Sequence, residues 1–412
     1  MHRKLGFIET YMASMHQEGW GTTQFVRTLT FKARLDLDRL ITQFEYFVNT
    51  HPVLNSRIVA AEDGFWFASI NEPLNFDYFG SIETQVNDDN WHSAELSEVH
   101  NILDPHQRLW RLRLLDNGLH YKIVLTFHHA LFDSDSAGVV INQLLAILAN
   151  DKPALPPSNP QNMSFPQAID RFLTASQNAI KPTQTLAIAH AQNIAIAERR
   201  THYRDIELAP QQHQALSGLC QNWNVSRNSL LSALLCQSAL DAQLIEPETG
   251  FMSAVSLRSF AETQAGQKIQ YGCYLAIASI AVAVTADTKR LAQDIQKATM
   301  KSIIDDCLKS PTFCCQTIQA GIKHLSQATH FTGFGISDIG DITPELKTDA
   351  LPISNASIMT NRVLGNAAFV LQVSQFMAHL TCRFVAVEHL LTAEQFTRLC
   401  SRFETKVTQL IS

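Results

Sequence analysis

The sequence predicts an α/β protein of two lobes, and three observations carry that prediction. Strand-like and helix-like patterns alternate along both halves of the chain. A proline-rich stretch with little apolar periodicity, holding Pro153, Pro156, Pro157, Pro160 and Pro166, separates the halves. The 412 residues exceed one ordinary core but suit two domains of about 150 to 200 residues each. With 46% apolar and 17% charged residues, the chain can fill two cores. The expected division is a first lobe at residues 1–150, a crossing segment and helix at 151–205, and a second lobe at 206–412.

In the first lobe, Leu37, Leu40, Ile41, Phe44 and Phe47 recur at helical spacing with Asp36 at the N-terminal end. His51-Pro52 stops that helix, because the residue before proline avoids the helical region. Residues 57–61 and 64–70 read as strands around the turn Glu62-Asp63-Gly64. Trp110, Leu112 and Leu114 alternate with Arg111 and Arg113, a strand that ends at Asp116-Asn117-Gly118; Asn-Gly between two such runs is a hairpin signal. The return strand covers residues 119–127 and delivers His128-His129 to its end. Ser134 or Asp135 is then expected to cap a helix whose apolar face carries Val140, Ile141, Leu144, Leu145 and Leu148.

Beyond the crossing, the Ala- and Gln-rich residues 172–199 predict a helix. Residues 206–208 form a short strand, Pro210 opens a helix, and Ser226 caps the strongly apolar helix that follows. Strands are expected at 250–257 and at 274–284, the latter buried on both faces, then a helix at 288–308. Strands near 334–337, 367–374 and 380–387 and a helix at 392–410 close the chain.

The net charge of −6 provides no basic stripe, so nucleic acid is an unsuitable partner. All eight cysteines fall between Cys220 and Cys400 without a C-x-x-C pair, and are read as reduced thiols in the cytoplasm. Glu9 interrupts the N-terminal region before any signal-length apolar run. Residues 274–286 form the longest weakly polar run, short of the roughly 20 needed to span a membrane.

The candidate chemistry lies at residues 119–133. Strand alternation sends His128 and His129 to opposite faces, so one can open into a cleft while the other is structural. No third ligand stands at recognisable spacing, so no metal is expected. The run His-His-Ala-Leu-Phe-Asp, residues 128–133, resembles the HHxxxD signature of the thioester-dependent acyltransferase superfamily. That superfamily includes chloramphenicol acetyltransferase, nonribosomal peptide condensation domains and the stand-alone alcohol and polyketide-associated acyltransferases. Supporting segments follow in the family's order: residues 51–57 with 64–67, then 225–234, 254–259 and 335–340.

The resemblance implies two chloramphenicol acetyltransferase-like lobes with a substrate tunnel between them. It implies His129 as general base, His128 as a structural residue, and Asp133 turned toward an arginine, for which Arg258 matches in position; a bidentate pair is expected there. Ser337 is a candidate oxyanion donor, and Ser134, Asp338 and Gly340 are candidates for the tunnel wall. The implied donor is an acyl thioester on coenzyme A or on the phosphopantetheine of an acyl-carrier or peptidyl-carrier protein. The implied acceptor is a small alcohol or amine, with no permanently bound cofactor and a monomeric state. Ester formation is the first reading. Amide formation by a free-standing condensation enzyme and a degenerate, carrier-binding member without activity are the alternatives. Two departures stand out: Ser134 occupies a position usually held by glycine, and Ser-Asp-Ile-Gly replaces the Ser-Asn-x-Gly of stand-alone members. Asp-Phe-Gly-Trp-Gly is absent, which disfavours a plant BAHD enzyme.

Overall fold

The computed structural model describes residues 2–32, 35–149, 165–176, 194–327, 333–344, 352–365, 367–387 and 390–411. Two large mixed sheets, each with its own core, dominate an α/β fold that also holds a three-stranded and a two-stranded sheet among the described residues. The first sheet has the strand order Ile353–Thr360, Phe25–Phe31, Tyr121–Phe127, Trp110–Asp116, Gly80–Glu83. The second runs Leu275–Ala283, Glu248–Ser256, Gly335–Asp341, Phe369–Phe376, His379–Val387, Thr201–Leu208.

Local chemistry explains the elements that position the site. Asp36 caps the helix Leu37–Thr50 by accepting 3.1 Å from Arg39 N, and the helix ends at His51. At the hairpin, Asp116 accepts from Gly118 N, and Asn117 accepts from Leu119 N and His120 N, so the turn closes on its own side chains. Tyr121–Phe127 is buried at all seven positions because it lies at the middle of its sheet. Ser226 caps Arg227–Asp241, whose Ser229–Ala239 stretch is entirely buried under the second sheet.

Several expectations need correction. The helix after the histidines runs Ser134–Ala149, and its cap is neither Ser134 nor Asp135: Asp133 Oδ1 accepts from Ser136 N at 2.9 Å. The strand expected at 274–284 is Leu275–Ala283, an edge strand with Ser279, Ala281 and Ala283 exposed. Its small side chains lose little by facing water, which makes an edge strand read as a doubly buried one. The helix expected to 308 stops at Ser302 and passes into a π-turn, Ile303–Cys307. The described ends of the 172–199 region are not α-helical. Ile169–Phe172 and Ile196–Glu198 are single 3₁₀ turns, and Thr174–Ser176 is a strand parallel to Lys309–Pro311. The helix expectation over 177–193 lies outside the described residues.

One strand crosses the expected division. Ile353–Thr360, inside the range assigned to the second lobe, pairs antiparallel with Phe25–Phe31 and completes the first sheet. The first core likewise takes in Leu257, Tyr271 and Tyr274 from the second half. The halves are therefore interlocked around the end of the Tyr121–Phe127 strand. Among the described residues no helix is long and apolar enough to cross a membrane, and all eight cysteines are free.

Candidate active site

The strand Tyr121–Phe127 places His128 and His129 at the sheet's end, where the chain turns into the helix Ser134–Ala149. The two rings divide as alternation predicts. His128 is fully buried, meets the His16 ring at a tilt of 46° with centroids 4.3 Å apart, and accepts at Nδ1 from Ala130 N at 3.1 Å. Burial, with His16 and His129 nearby, pushes its pKa well below the ordinary value, so the ring is neutral and packed inside the protein.

His129 faces the other way, into a cavity of about 210 Å³ between the two sheets. Phe25 meets the ring edge-on at 5.2 Å, and Nδ1 lies 4.0 Å from Cys273 Sγ. Its pKa is lowered, first by burial and then by Arg362; Asp133 and hydrogen bonds to the backbone at His129 and Phe132 oppose the shift. The imidazole is therefore neutral at physiological pH.

Asp133 does not hydrogen-bond His129. Its Oδ1 accepts from Arg258 Nη2 at 2.5 Å and from Ser136 N and Oγ at 2.9 and 2.7 Å, while Oδ2 accepts from Tyr274 N at 3.2 Å. The expected bidentate pair is absent, because the guanidinium divides its donors. Nη1 goes to the Ile269 carbonyl at 2.6 Å and Nε lies 3.2 Å from Asp135 Oδ2, with the Tyr274 ring beneath at 5.1 Å. Arg258 opens a helix, Arg258–Ala265, rather than ending a strand. The close approach requires Gly272, at φ +133°, since a Cβ there would collide with the Tyr274 ring.

Ser337 lies on the strand Gly335–Asp341 and lines the His129 cavity from the second sheet, as do Met252, Ala254 and Ser256. Ser134 lines it from the first lobe, with Arg27 Nη1 donating to its Oγ at 3.4 Å. Asp338 borders the cavity, but both its oxygens are held by Arg227, at 2.9 and 2.6 Å, so it is a wall residue with its charge engaged. Gly340 is not brought to His129. It sits past a bulge in the strand, at φ +88°, in an adjoining groove.

Sequence reasoning missed Tyr11, Met15, Thr23 and Arg362, which also line the cavity. Tyr11 and Met15 belong to the helix Phe7–Glu18, which also buries Glu9, Ser14 and His16. Polar residues on buried faces erase the helical periodicity that would have exposed it. Arg362 follows the crossing strand and has no local signal of any kind.

Three neutral buried histidines near the site make stability pH-dependent. Burial lowers His16 and His51 to about 4 and His128 well below its ordinary value. Each folded-state pKa lies below the unfolded value, so the stability is fully present above about pH 6.5 and is lost as pH falls toward 4. The expected loss by pH 4 is about 3 kcal/mol for each of His16 and His51. Urea midpoints measured at pH 7, 5.5 and 4.5 test this, and equal midpoints would contradict the burial of neutral rings.

The fold and the site together define a class: two interlocked α/β lobes with a histidine at the end of a central strand, facing a cavity between the sheets. Solved structures share the two-lobe fold. The chain superposes on polyketide synthase associated protein 5 from Mycobacterium tuberculosis with a TM-score of 0.69, covering 99% of this chain and 98% of that one at 15% identity. It superposes on the epimerization domain from the third module of tyrocidine synthetase B at 0.71, covering 99% and 96% at 11% identity. The first condensation domain of the calcium-dependent antibiotic synthetase, in complex with a substrate analogue, gives 0.68 over 100% and 96% at 13% identity. The chain thus shares the fold of these condensation and epimerization domains. No protein-family model and no curated protein matches the sequence.

Proposed function

We propose that this protein is an acyltransferase that moves an acyl group from a thioester to an alcohol, with His129 as general base and no covalent enzyme intermediate. The observation that carries this reading is a neutral imidazole opening into the inter-sheet cavity while Asp133 is committed to Arg258 and Tyr274 N. A histidine serving in a Ser-His-Asp relay would instead have its carboxylate on the ring.

The chemistry balances without a cofactor. His129 takes the acceptor's hydroxyl proton as its oxygen attacks the thioester carbonyl, and the carbonyl oxygen becomes the tetrahedral oxyanion. Collapse breaks the C–S bond, and the imidazolium returns the proton to the departing thiolate, leaving an ester and a free thiol. Coenzyme A and a carrier-bound phosphopantetheine present the same thioester, and the likeness to a polyketide synthase associated protein and to a synthetase domain supports a carrier protein as one donor. Amide formation is the second reading, favoured by the condensation domain among those neighbours.

Ser337 is the hydroxyl proposed to meet the oxyanion. Removing one such donor costs about 10²-fold in kcat, so Ser337→Ala is expected to lose that much with little change in the thioester KM. An unaltered kcat would leave Ser337 as wall only. The defining experiment is intact-mass and product screening of the protein with acyl-CoA and acyl-carrier donors against mixed alcohols and amines. Transfer to an alcohol at a rate dependent on His129 supports the reading, and transfer only to amines replaces it with the second.

A further inference from the structure

Two recesses adjoin the His129 cavity on opposite sides of the strand Glu248–Ser256. One is an open groove that shares Ala254, Val255, Ser256 and Asp338 with the cavity and continues along Arg227, Asn228 and Gln296, a polar wall. The other, about 280 Å³, shares Tyr11, Met252, Leu275 and Ile277 with the cavity. It continues past Phe7, Ile8, Leu173 and Ala276 toward the edge strand Leu275–Ala283.

We infer that this second recess is a binding site for a hydrocarbon chain without negative charge, carried by one of the two substrates. The identity of that carrier, though not the binding itself, rests on the reaction proposed above. The inner walls are mainly aliphatic and aromatic, and two of the polar groups on them, Asp170 and Ser302, are already hydrogen-bonded. Asp170 accepts from Phe7 N and Ser310 Oγ, and Ser302 Oγ accepts from Ser279 N. At the rim, Asp305 and Asp306 are exposed opposite a single ammonium, Lys309. A phosphate or carboxylate entering there meets two carboxylates against one ammonium and then a mainly apolar wall that solvates it poorly. A pantetheine arm, which carries phosphate, is therefore directed to the groove on the other side.

Size bounds the ligand. At about 30 Å³ per water-sized group, the recess holds roughly nine non-hydrogen atoms, the count in octan-1-ol. Each methylene taken from water is expected to tighten binding about fourfold.

The test is calorimetric titration of the full-length protein with straight-chain alcohols from butan-1-ol to decan-1-ol, and with octylamine and octanoate at pH 7. Affinity should rise about fourfold per methylene up to about eight carbons and then level off, with octanoate at least about tenfold weaker than octan-1-ol. Ala276→Phe, which fills the recess away from His129, should weaken octan-1-ol by about tenfold or more. Should that variant fail to fold, the exposed pair Asp305→Lys and Asp306→Lys keeps the test open, by bringing octanoate close to octan-1-ol. Chain-length-independent binding, octanoate equal to octan-1-ol in the parent, or a rim pair without effect would each overturn the inference.

Binding without any acyl transfer in the parent keeps the recess and removes the proposed reaction; transfer with no chain-length dependence does the reverse. In transfer assays, Ala276→Phe should raise KM for octanoyl over acetyl thioesters if the chain belongs to the donor, or for octan-1-ol over ethanol if it belongs to the acceptor. An unchanged KM for both counts against the site.

Discussion

His129→Ala is expected to lower acyl transfer by about 10²- to 10⁴-fold, the usual contribution of a positioned general base, while changing stability by no more than about 1 kcal/mol. The imidazole stands at the wall of the cavity and is tied to the backbone at its own position and at Phe132, so its removal breaks no buried ion pair. The same arrangement sets the pH profile. Only the neutral ring can take a proton, and burial holds its pKa below 6.5, so the plateau of kcat/KM should extend below pH 6.5 before the acid limb appears. The nearby Arg362 acts in the same direction and Asp133 against it. Steady-state rates from pH 5 to 8 on the parent and on His129→Ala measure both effects. Transfer undiminished in the variant, or an acid limb centred above pH 7, would remove His129 from the role of base.

What was legible in the sequence followed from local rules. The hairpin at Asp116-Asn117-Gly118, the cap at Ser226 and the stop at His51-Pro52 are set by neighbours in the chain, and each element stands where its residues predict. The opposite orientation of His128 and His129 is likewise a matter of strand period. The misses are long-range. Ile353–Thr360 alternates too weakly to be read as a strand, and it joins the first sheet because Phe25–Phe31 offers an open edge more than 300 residues earlier in the chain. The cavity wall inherits that blindness, since Thr360, Arg362 and Ile358 reach His129 only through this pairing. Asp133 shows a subtler failure. The resemblance places it beside Arg258, yet the sequence pattern assigns the helix cap to Ser134 or Asp135, because the strand-to-helix turn is one residue tighter than the pattern implies. Its second oxygen, on Tyr274 N, depends on the bend at Gly272, which carries no sequence signature beyond a single glycine.

Arg258→Ala is expected to cost about 3 to 5 kcal/mol of stability, because it strands a buried carboxylate. Asp133 and Arg258 are only 8% and 7% exposed, and the guanidinium also satisfies the Ile269 carbonyl and the Ser136 hydroxyl. Asp133→Asn keeps an oxygen for Ser136 N but loses the charge. It should therefore fall between the parent and Asp133→Ala, which additionally gives up the cap, worth about 1 kcal/mol. Activity should fall together with stability in all three variants. Asp133 N bonds to the Gly272 carbonyl and Asp133 Oδ2 to Tyr274 N, so this cluster clamps the turn that carries His129 to the second half of the chain. A double-mutant cycle between Asp133→Asn and Arg258→Met, read by urea unfolding, isolates the pairwise part. An Arg258→Ala protein that unfolds like the parent would rule out the clamp. An Asp133→Asn protein that is fully stable yet inactive would move Asp133 from holding the turn to acting on His129 itself.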